Sequence, residues 1–425
     1  MTKGSGFQAI RSAFAIRDFR IYTTGNVGSH IGTWVQRAAV GWLTWQLTGS
    51  AFWLGAIAMA DVAPAVVLAP LAGAVADRVE RIHAIKLTQA LAMVQAATLA
   101  VLTYTGLITI EILLGLTIAL GIVMAFNQPL RLAITPSLVG RRDLAAAIGI
   151  NSLSFNVSRI VGPAIAGPII VQWGVAPCFT LNAVSYVAFI GALFMMKGAA
   201  KNRPARTKPL GNIPAEIMEG MLYCVRHAGI APLFVTIAVT AVLGRAYSEL
   251  LPGFAAEVFG HGATGFAMLL SSMGVGAVVA GALLAGRGAI EGLTRVVVRS
   301  VLVLALAVIA FTMAPNIWVG MGCIAVSGYA AVTCSVGQQT LLQSSMAPAI
   351  RGRVMSLYGM IMRGGPALGA LLMGALHGVL GLRWPVFGGA MVCLVLWLWA
   401  WRRRHLMAAA LEGGADPPAT ERAAG

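Results

Sequence analysis

The chain has 425 residues, of which 58% are hydrophobic and only 10% charged. An ordinary soluble domain carries roughly 25% charged residues, so this sequence cannot coat a water-facing surface, and a soluble globular fold is excluded. The formal net charge of +16 leaves two explanations, nucleic-acid binding and membrane topology, and the placement of the charges decides between them.

Apolar runs of about 18 residues or more read as membrane-spanning helices, and they recur along the whole length. The first begins near Phe19. It is too long and too polar for the core of a cleavable signal peptide, so it is taken as the first span. The pattern predicts spans at 19–47, 52–76, 82–104, 109–138, 144–172 and 175–197, and a second set at 230–255, 264–286, 294–313, 316–346, 354–380 and 383–401. The expected fold is an all-α polytopic membrane protein of twelve transmembrane helices in two six-helix, pseudo-symmetric halves. The domains are then a first bundle over 1–197, a cytosolic linker over 198–229, a second bundle over 230–405 and a disordered cytosolic tail over 406–425. Within the linker, Lys201, Arg203, Arg206 and Lys208 alternate with Pro204 and Pro209, and 214–227 reads as a short amphipathic helix lying on the membrane.

Of the 30 lysines and arginines, five lie deep within spans and Arg383 alone stands at an outer helix end. All others lie in segments, or at the helix ends next to them, that are inside if both termini are cytosolic, which is the positive-inside asymmetry. The basic charge is thus spread over many short loops, and nucleic acid is excluded as a partner. Lipid bilayer, protons and a small molecule are the expected partners, and a bacterial-type inner membrane is the expected location.

An internal repeat supports the two halves. Arg159, Gly162, Pro163, Ala164 and Gly167 in the fifth span are echoed by Arg363, Gly365, Pro366, Ala367 and Gly369 in the eleventh. The second span ends in Gly73, Asp77 and Arg78, and the eighth ends in Gly286 and Arg287 without the acid. Two six-helix halves related by a repeat are a common transporter architecture.

Charges inside a bilayer cost several kcal/mol or thereabouts each and need a reason. Arg37 and Asp61 each lie about ten residues from an outer helix end, roughly 15 Å deep at 1.5 Å per residue, so they can pair. Two readings stand: a fixed ion pair, or a carboxylate whose proton is gated by its partner. Arg245 and Glu249 have i,i+4 spacing on the seventh span. They form an intrahelical pair or a second proton or substrate site, and Leu250, Leu251 and Pro252 directly after them would bend the helix into an outer gate. Arg159 and Arg363 stand just before Gly-Pro; they either bond to helix carbonyls or line a central cavity. Asp61 and Glu249 are therefore the candidate proton carriers, and Arg37, Arg159, Arg245, Arg363 and Trp34 the candidate cavity residues. Trp34, one turn from Arg37, could contact a ring-bearing ligand, whereas Trp42, Trp45 and Trp53 read as interfacial anchors. His30 could titrate near neutral pH or be a packing residue. Five deep arginines against two acids favour an anionic or acceptor-rich substrate.

Several motifs are missing. No GxxxxGK[ST], HExxH or GxSxG occurs, so no ATPase, metalloprotease or serine-hydrolase chemistry is expected, nor any cofactor or bound metal, and the chain is not expected to be an enzyme. The five cysteines are scattered through apolar runs with no CxxC pair and read as packing residues.

The loop after the second span, with Gly73, Asp77, Arg78 and Arg81, resembles the signature of the major facilitator superfamily, with Glu80 in place of a glycine and Ile82 in place of a basic residue. Gly162, Pro163 and Gly167 resemble the antiporter-associated motif of that superfamily. A narrower likeness to its enterobactin-exporter and macrolide-efflux branch rests on Thr48-Gly49-Ser50, Asn127, Pro129, Arg131, Phe179, Asn182, Ser185, Leu250-Leu251-Pro252, Arg351, Arg353 and Ser356. The resemblance implies a secondary transporter, working as a monomer by alternating access, that exports a siderophore-like or drug-like molecule by proton antiport and so could confer multidrug resistance. It also implies a cytosolic latch of Gly73, Asp77, Arg78 and Arg81, with Arg131 as a partner for Asp77 or as a simple topological anchor. The rivals are a lipid flippase, an importer of an acidic solute, or a non-transporting receptor.

Overall fold

The computed structural model describes residues 6–76, 78–140, 143–196, 218, 221–225, 227, 229–287, 291–346 and 348–412. These are α-helical almost throughout. Helices α1 (Gly6–Ala15), α2 (Arg17–Thr48), α3 (Ala51–Ala76), α4 (Arg81–Tyr104), α5 (Ile110–Leu138), α6 (Leu144–Trp173) and α7 (Ala176–Met195) come first. They are followed by α8 (Ile230–Val258) and then α9 (Gly262–Arg287), α10 (Leu293–Thr312), α11 (Ile317–Ser345), α12 (Pro348–Ala375), the short α13 (His377–Leu380) and α14 (Arg383–Glu412). Among the described residues, 10 helices are long and apolar enough to cross a membrane. The long helices α2 and α12 fall outside that set, because α2 carries Asn26, Ser29, His30, Gln36 and Arg37 and α12 carries Arg351, Arg353 and Arg363.

The chain divides into two compact units. Unit 1 comprises 1–49 and 57–210, and unit 2 comprises 50–56 and 211–425. Both turn outward the apolar side chains that a soluble protein would hide: Val94, Val101, Val184 and Val187 in unit 1 and Val275, Leu283 and Val395 in unit 2 are exposed. Hydrocarbon is the solvent such surfaces require. Inside unit 1, Phe19, Tyr22, Ile85, Leu130, Ile134, Phe189 and Leu193 form one core, and Ala92, Ala96, Leu120 and Tyr186 another. In unit 2, Leu233, Ile237, Val297, Val301, Leu341, Leu342 and Val354 pack with Met407 and Leu411.

Close helix approach is set by small residues. A Cβ at Gly162 of α6 would collide with Trp34 of α2, and one at Gly365 of α12 would lie 2.6 Å from Ala241 of α8. The two halves of the sequence repeat thus use a glycine just before a proline to seat a helix on the first long helix of the same unit. Gly49 ends α2 in the left-handed region (φ 56°), its amide donating to the Trp45 carbonyl at 2.8 Å; this is the role of the Thr48-Gly49-Ser50 turn.

Two features depart from the sequence reading. The last helix continues to Glu412 with Met407 and Leu411 buried, well past the expected start of a disordered tail at 406, because these apolar side chains pack on α10 and the Gly229 turn. The seventh span is not one regular helix, since π turns at Thr240–Gly244 and Phe254–Val258 interrupt α8. Most of the expected amphipathic linker helix lies outside the described residues; of it, 221–225 is helical, with Cys224 buried and Met221, Leu222 and Val225 exposed.

Candidate functional site

Unit 1 brings together the charged and aromatic residues singled out in α2 and α3. Arg37 Nη2 lies 3.4 Å from Asp61 Oδ2, with about a third of each side chain exposed (34% and 28%). The equal-depth argument for this pair is realised in the geometry. The Arg37 guanidinium also stands over the Trp34 ring, 5.2 Å from its centroid. Trp34 meets Phe155 edge to face at 6.1 Å, and His30 meets the same ring at 5.5 Å. A cation, a carboxylate and an aromatic wall therefore share one half-open region. Such a site can bind a ligand through charge, through a proton or through ring stacking.

Arg131 sits deeper. Its guanidinium donates to Asn26 Oδ1 at 2.6 Å and to Ser29 Oγ at 3.1 Å, approaches His30 Nε2 at 3.1 Å and lies 5.0 Å from the Phe189 ring centroid. The lone pair His30 presents to this cation belongs to a neutral imidazole. The network continues from there. Ser29 donates to Gln89 Oε1 at 3.2 Å, Thr33 and Tyr186 share a bond at 3.1 Å, and Asn127 donates to Thr88 at 2.6 Å. Gln36 donates to Gln95 at 3.0 Å and accepts from Asn182 Nδ2 at 2.8 Å. Sequence reasoning gave Arg131 a role beside Asp77, a residue that lies outside the described set, and missed that it belongs to a buried chain of amides. The available signal was the run of polar residues on one stripe of α2, at 26, 29, 30, 33, 36 and 37.

The latch residues occupy the end of α3 and the start of α4. Arg78 is exposed, and Arg81 donates to the Ala133 carbonyl of α5 at 3.2 Å. Gly73 is half-buried with open space around its α-carbon. Glu80, the departure from the superfamily signature, caps α4 by accepting from the amides of Ile82 (3.1 Å) and His83 (2.7 Å) and from the His83 ring. Burial pushes its carboxyl up, but these hydrogen bonds prevail and hold it below the ordinary value of 4.5.

In unit 2, Arg245 stands at the break after the first π turn (φ −117°, ψ −6°) and faces Met362 Sδ at 4.0 Å. The i,i+4 register assumed for Arg245 and Glu249 supposes an unbroken helix, which this break removes. Glu249 is half-buried and Leu250, Leu251 and Pro252 are buried. Arg159 is half-buried, Arg363 is exposed, and Gly162, Pro163 and Gly167 lie within α6. Among the described residues there is no group of His, Cys, Asp or Glu placed to hold a metal ion.

Residues 9–412 match the family described as transmembrane secretion effector, within the major facilitator superfamily. The chain belongs to this family. It is a multi-span membrane transporter and not an enzyme. It is 24% identical to the staphyloferrin A transporter of Staphylococcus aureus (86% of this chain, 91% of that one). It is 28% identical to the enterobactin exporter EntS of Citrobacter koseri (87% and 85%). Among solved structures it resembles a peptide transporter POT (TM-score 0.73, 12% identity, 92% and 95% coverage) and the nucleoside transporter NupG (TM-score 0.67, 12% identity, 91% and 98% coverage). At that identity the likeness is one of fold.

Proposed function

We propose that this transporter exports a siderophore-like or drug-like, anionic small molecule by proton antiport. The observation that carries this reading is the half-exposed Arg37–Asp61 pair beside Trp34. A carboxylate partly open to solvent can take up a proton, and doing so releases its arginine. The released arginine can then receive an anion, so proton and substrate are exchanged on the same pair. The names of the staphyloferrin and enterobactin relatives support a siderophore-like cargo, and the excess of deep arginines supports negative charge on it.

The chain then works as a monomer in a bacterial inner membrane with both termini cytosolic. Twelve spans form two six-helix pseudo-symmetric halves, and alternating access is supported by the internal repeat of Gly162-Pro163 and Gly365-Pro366. Gly73, Asp77, Arg78, Arg81 and Arg131 serve the cytosolic latch, and Glu249 is a second proton carrier. The experiment is proton release in energised inverted vesicles while siderophores, macrolides and acidic metabolites are added in turn. One compound is expected to collapse the pH gradient, and Asp61→Asn to reduce that signal to the level of empty vesicles. Movement of radiolabelled compound with no proton release, or full coupling in Asp61→Asn, removes the antiport role from Asp61.

A further inference from the structure

In unit 2, Thr240, Arg245, Cys334, Ser335, Gln338 and Met362 line a closed pocket too tight to admit a water as it stands, with Leu304 and Ala331 as apolar walls. The π turn Thr240–Gly244 builds it. One extra residue in that turn ends the regular helix at Arg245 and directs the arginine toward α11 and α12, and single-turn π segments recur at functional sites. Around the pocket the hydroxyl hydrogens are committed elsewhere. Thr240 donates to the Thr236 carbonyl at 2.5 Å and Ser335 to the Val332 carbonyl at 3.2 Å. Two stronger donors are not committed. Gln338 is 1% exposed, yet its Nε2 has no hydrogen-bond partner. Among the described residues Arg245 forms no ion pair, and its one hydrogen-bond contact is the weak acceptor Met362 Sδ at 4.0 Å.

A buried amide donor left unsatisfied costs about 1–3 kcal/mol, and a cation facing a thioether is poorly compensated. Both defects disappear when a group with two anionic oxygens enters. A carboxylate matches the fork of a guanidinium with two parallel bonds and retains lone pairs for the Gln338 amide. A ligand amine or amide N–H would instead set donor against donor. Methionine is flexible enough to swing aside, and Met362 already stands where the acceptor belongs.

We propose that this pocket anchors a carboxylate of the transported substrate. Arg245 grips both oxygens, Gln338 Nε2 donates a further bond, and Met362 is the plug displaced on entry. The assignment rests on the reading that the chain moves an anionic small molecule, and it names the group recognised and the residues in unit 2 that recognise it.

The test uses the full chain in lipid nanodiscs with two probes of one shape, benzoate and benzamide. Modification of Arg245 by phenylglyoxal is followed by peptide mass spectrometry, with exposed Arg402 on α14 as the internal control. Benzoate is expected to slow modification of Arg245 several-fold and leave Arg402 unchanged, whereas benzamide protects neither. In Gln338→Leu the benzoate concentration giving half protection rises about tenfold. Gln338→Glu supplies the carboxylate internally, so Arg245 is protected without benzoate and benzoate adds nothing. Equal protection by both probes, or an Arg245 as reactive in Gln338→Glu as in the parent, overturns the assignment. Vesicle transport separates this failure from that of the exporter reading. If benzoate protects Arg245 but no compound is exported, the pocket stands and the exporter falls. If a carboxylate-bearing compound is exported and Arg245→Gln leaves its KM unchanged, the pocket falls and the exporter stands.

Discussion

The interiors of the two units are held by different forces. In unit 1 a chain of amides and hydroxyls crosses α2, α4, α5 and α7, so the helices are registered by directional bonds such as Gln36–Gln95 and Asn182–Gln36. In unit 2 the interior is apolar and aromatic. Phe311 contacts Tyr247, Phe254 and Phe259, and the buried side-chain pair described there is Tyr247 with Ser327 at 2.9 Å. Shape does the registering in unit 2: a Cβ at Gly276 or Gly328 would strike the backbone of the facing helix, at Ala325 and Met273. Lipid offers no hydrophobic force between helices, so packing and interhelical hydrogen bonds are the available sources of specificity, and each unit has drawn mainly on one of them. The unit that spends polar groups on its own helices has its candidate exchange pair half-open at Arg37 and Asp61. The unit registered by shape keeps two donors, Arg245 and Gln338, uncommitted.

The largest expected effect breaks the polar chain of unit 1. Gln36→Leu strands the Gln95 carbonyl and the Asn182 amide and should cost about 2–6 kcal/mol, since each orphaned buried group costs about 1–3. The matching change in unit 2, Ser327→Ala, removes one partner of Tyr247 and should cost about 1 kcal/mol. Native cysteines report on the units separately, because Cys178 is buried in unit 1 and Cys334 and Cys393 are buried in unit 2. Thermal thiol-exposure scans in detergent should show Cys178 reacting at markedly lower temperature in Gln36→Leu, and Cys334 and Cys393 shifting slightly in Ser327→Ala. Equal shifts for the two variants would show that hydrogen bonds register both units alike.

A smaller effect sharpens the account of unit 2. Glu412, at the end of α14, accepts from the amides of Gly292 and Thr294, both at 2.7 Å, and so caps α10 from a distant part of the chain. Glu412→Ala should cost about 1 kcal/mol, the usual worth of a cap. Cys224, which packs in the same core as Met407 and Leu411, should become reactive first, with Cys178 unchanged. Unchanged reactivity of Cys224 would mean that the apolar contacts of α14 hold the helix without the cap.

Much of the fold was legible because hydrophobic run length is a one-dimensional signal, and lipid makes it almost sufficient. Pairing of Arg37 with Asp61 was legible for a similar reason, since depth in a bilayer follows from counting residues along helices of known rise. The surroundings of Arg131 were not. Counting fixes its depth but not the face of α5 it occupies, and its partners come from α2, about a hundred positions earlier. The π turns in α8 were also hidden, because one inserted residue leaves the hydrophobic pattern intact while rotating everything after it. Glu412 was missed because its function is a contact with the start of α10, and composition alone makes the end of the chain look like a solvated tail.

The smallest effect concerns the residue at which the sequence leaves the superfamily pattern. Glu80 stands where the signature has glycine, and a loop position tolerant of glycine is here an N-cap for α4. Because hydrogen bonds hold its carboxyl below the ordinary value of 4.5, its contribution is fully present above that value and is lost as pH falls through the lowered one. Glu80→Ala should therefore cost about 0.5–1 kcal/mol near neutral pH, and the difference from the parent should vanish in acid. Glu80→Gly should cost only a few tenths of a kcal/mol at neutral pH, since glycine is a tolerable cap. Hydrogen exchange at the amides of Ile82 and His83, corrected for intrinsic rates at each pH, reads this locally. If Glu80→Ala and Glu80→Gly lose equal protection at neutral pH, or the loss in Glu80→Ala persists in acid, the ionised carboxylate is not what holds the start of α4. The glycine of the signature would then be exchangeable here because the loop is supported from elsewhere, with the Arg81 bond to the Ala133 carbonyl the next group to remove.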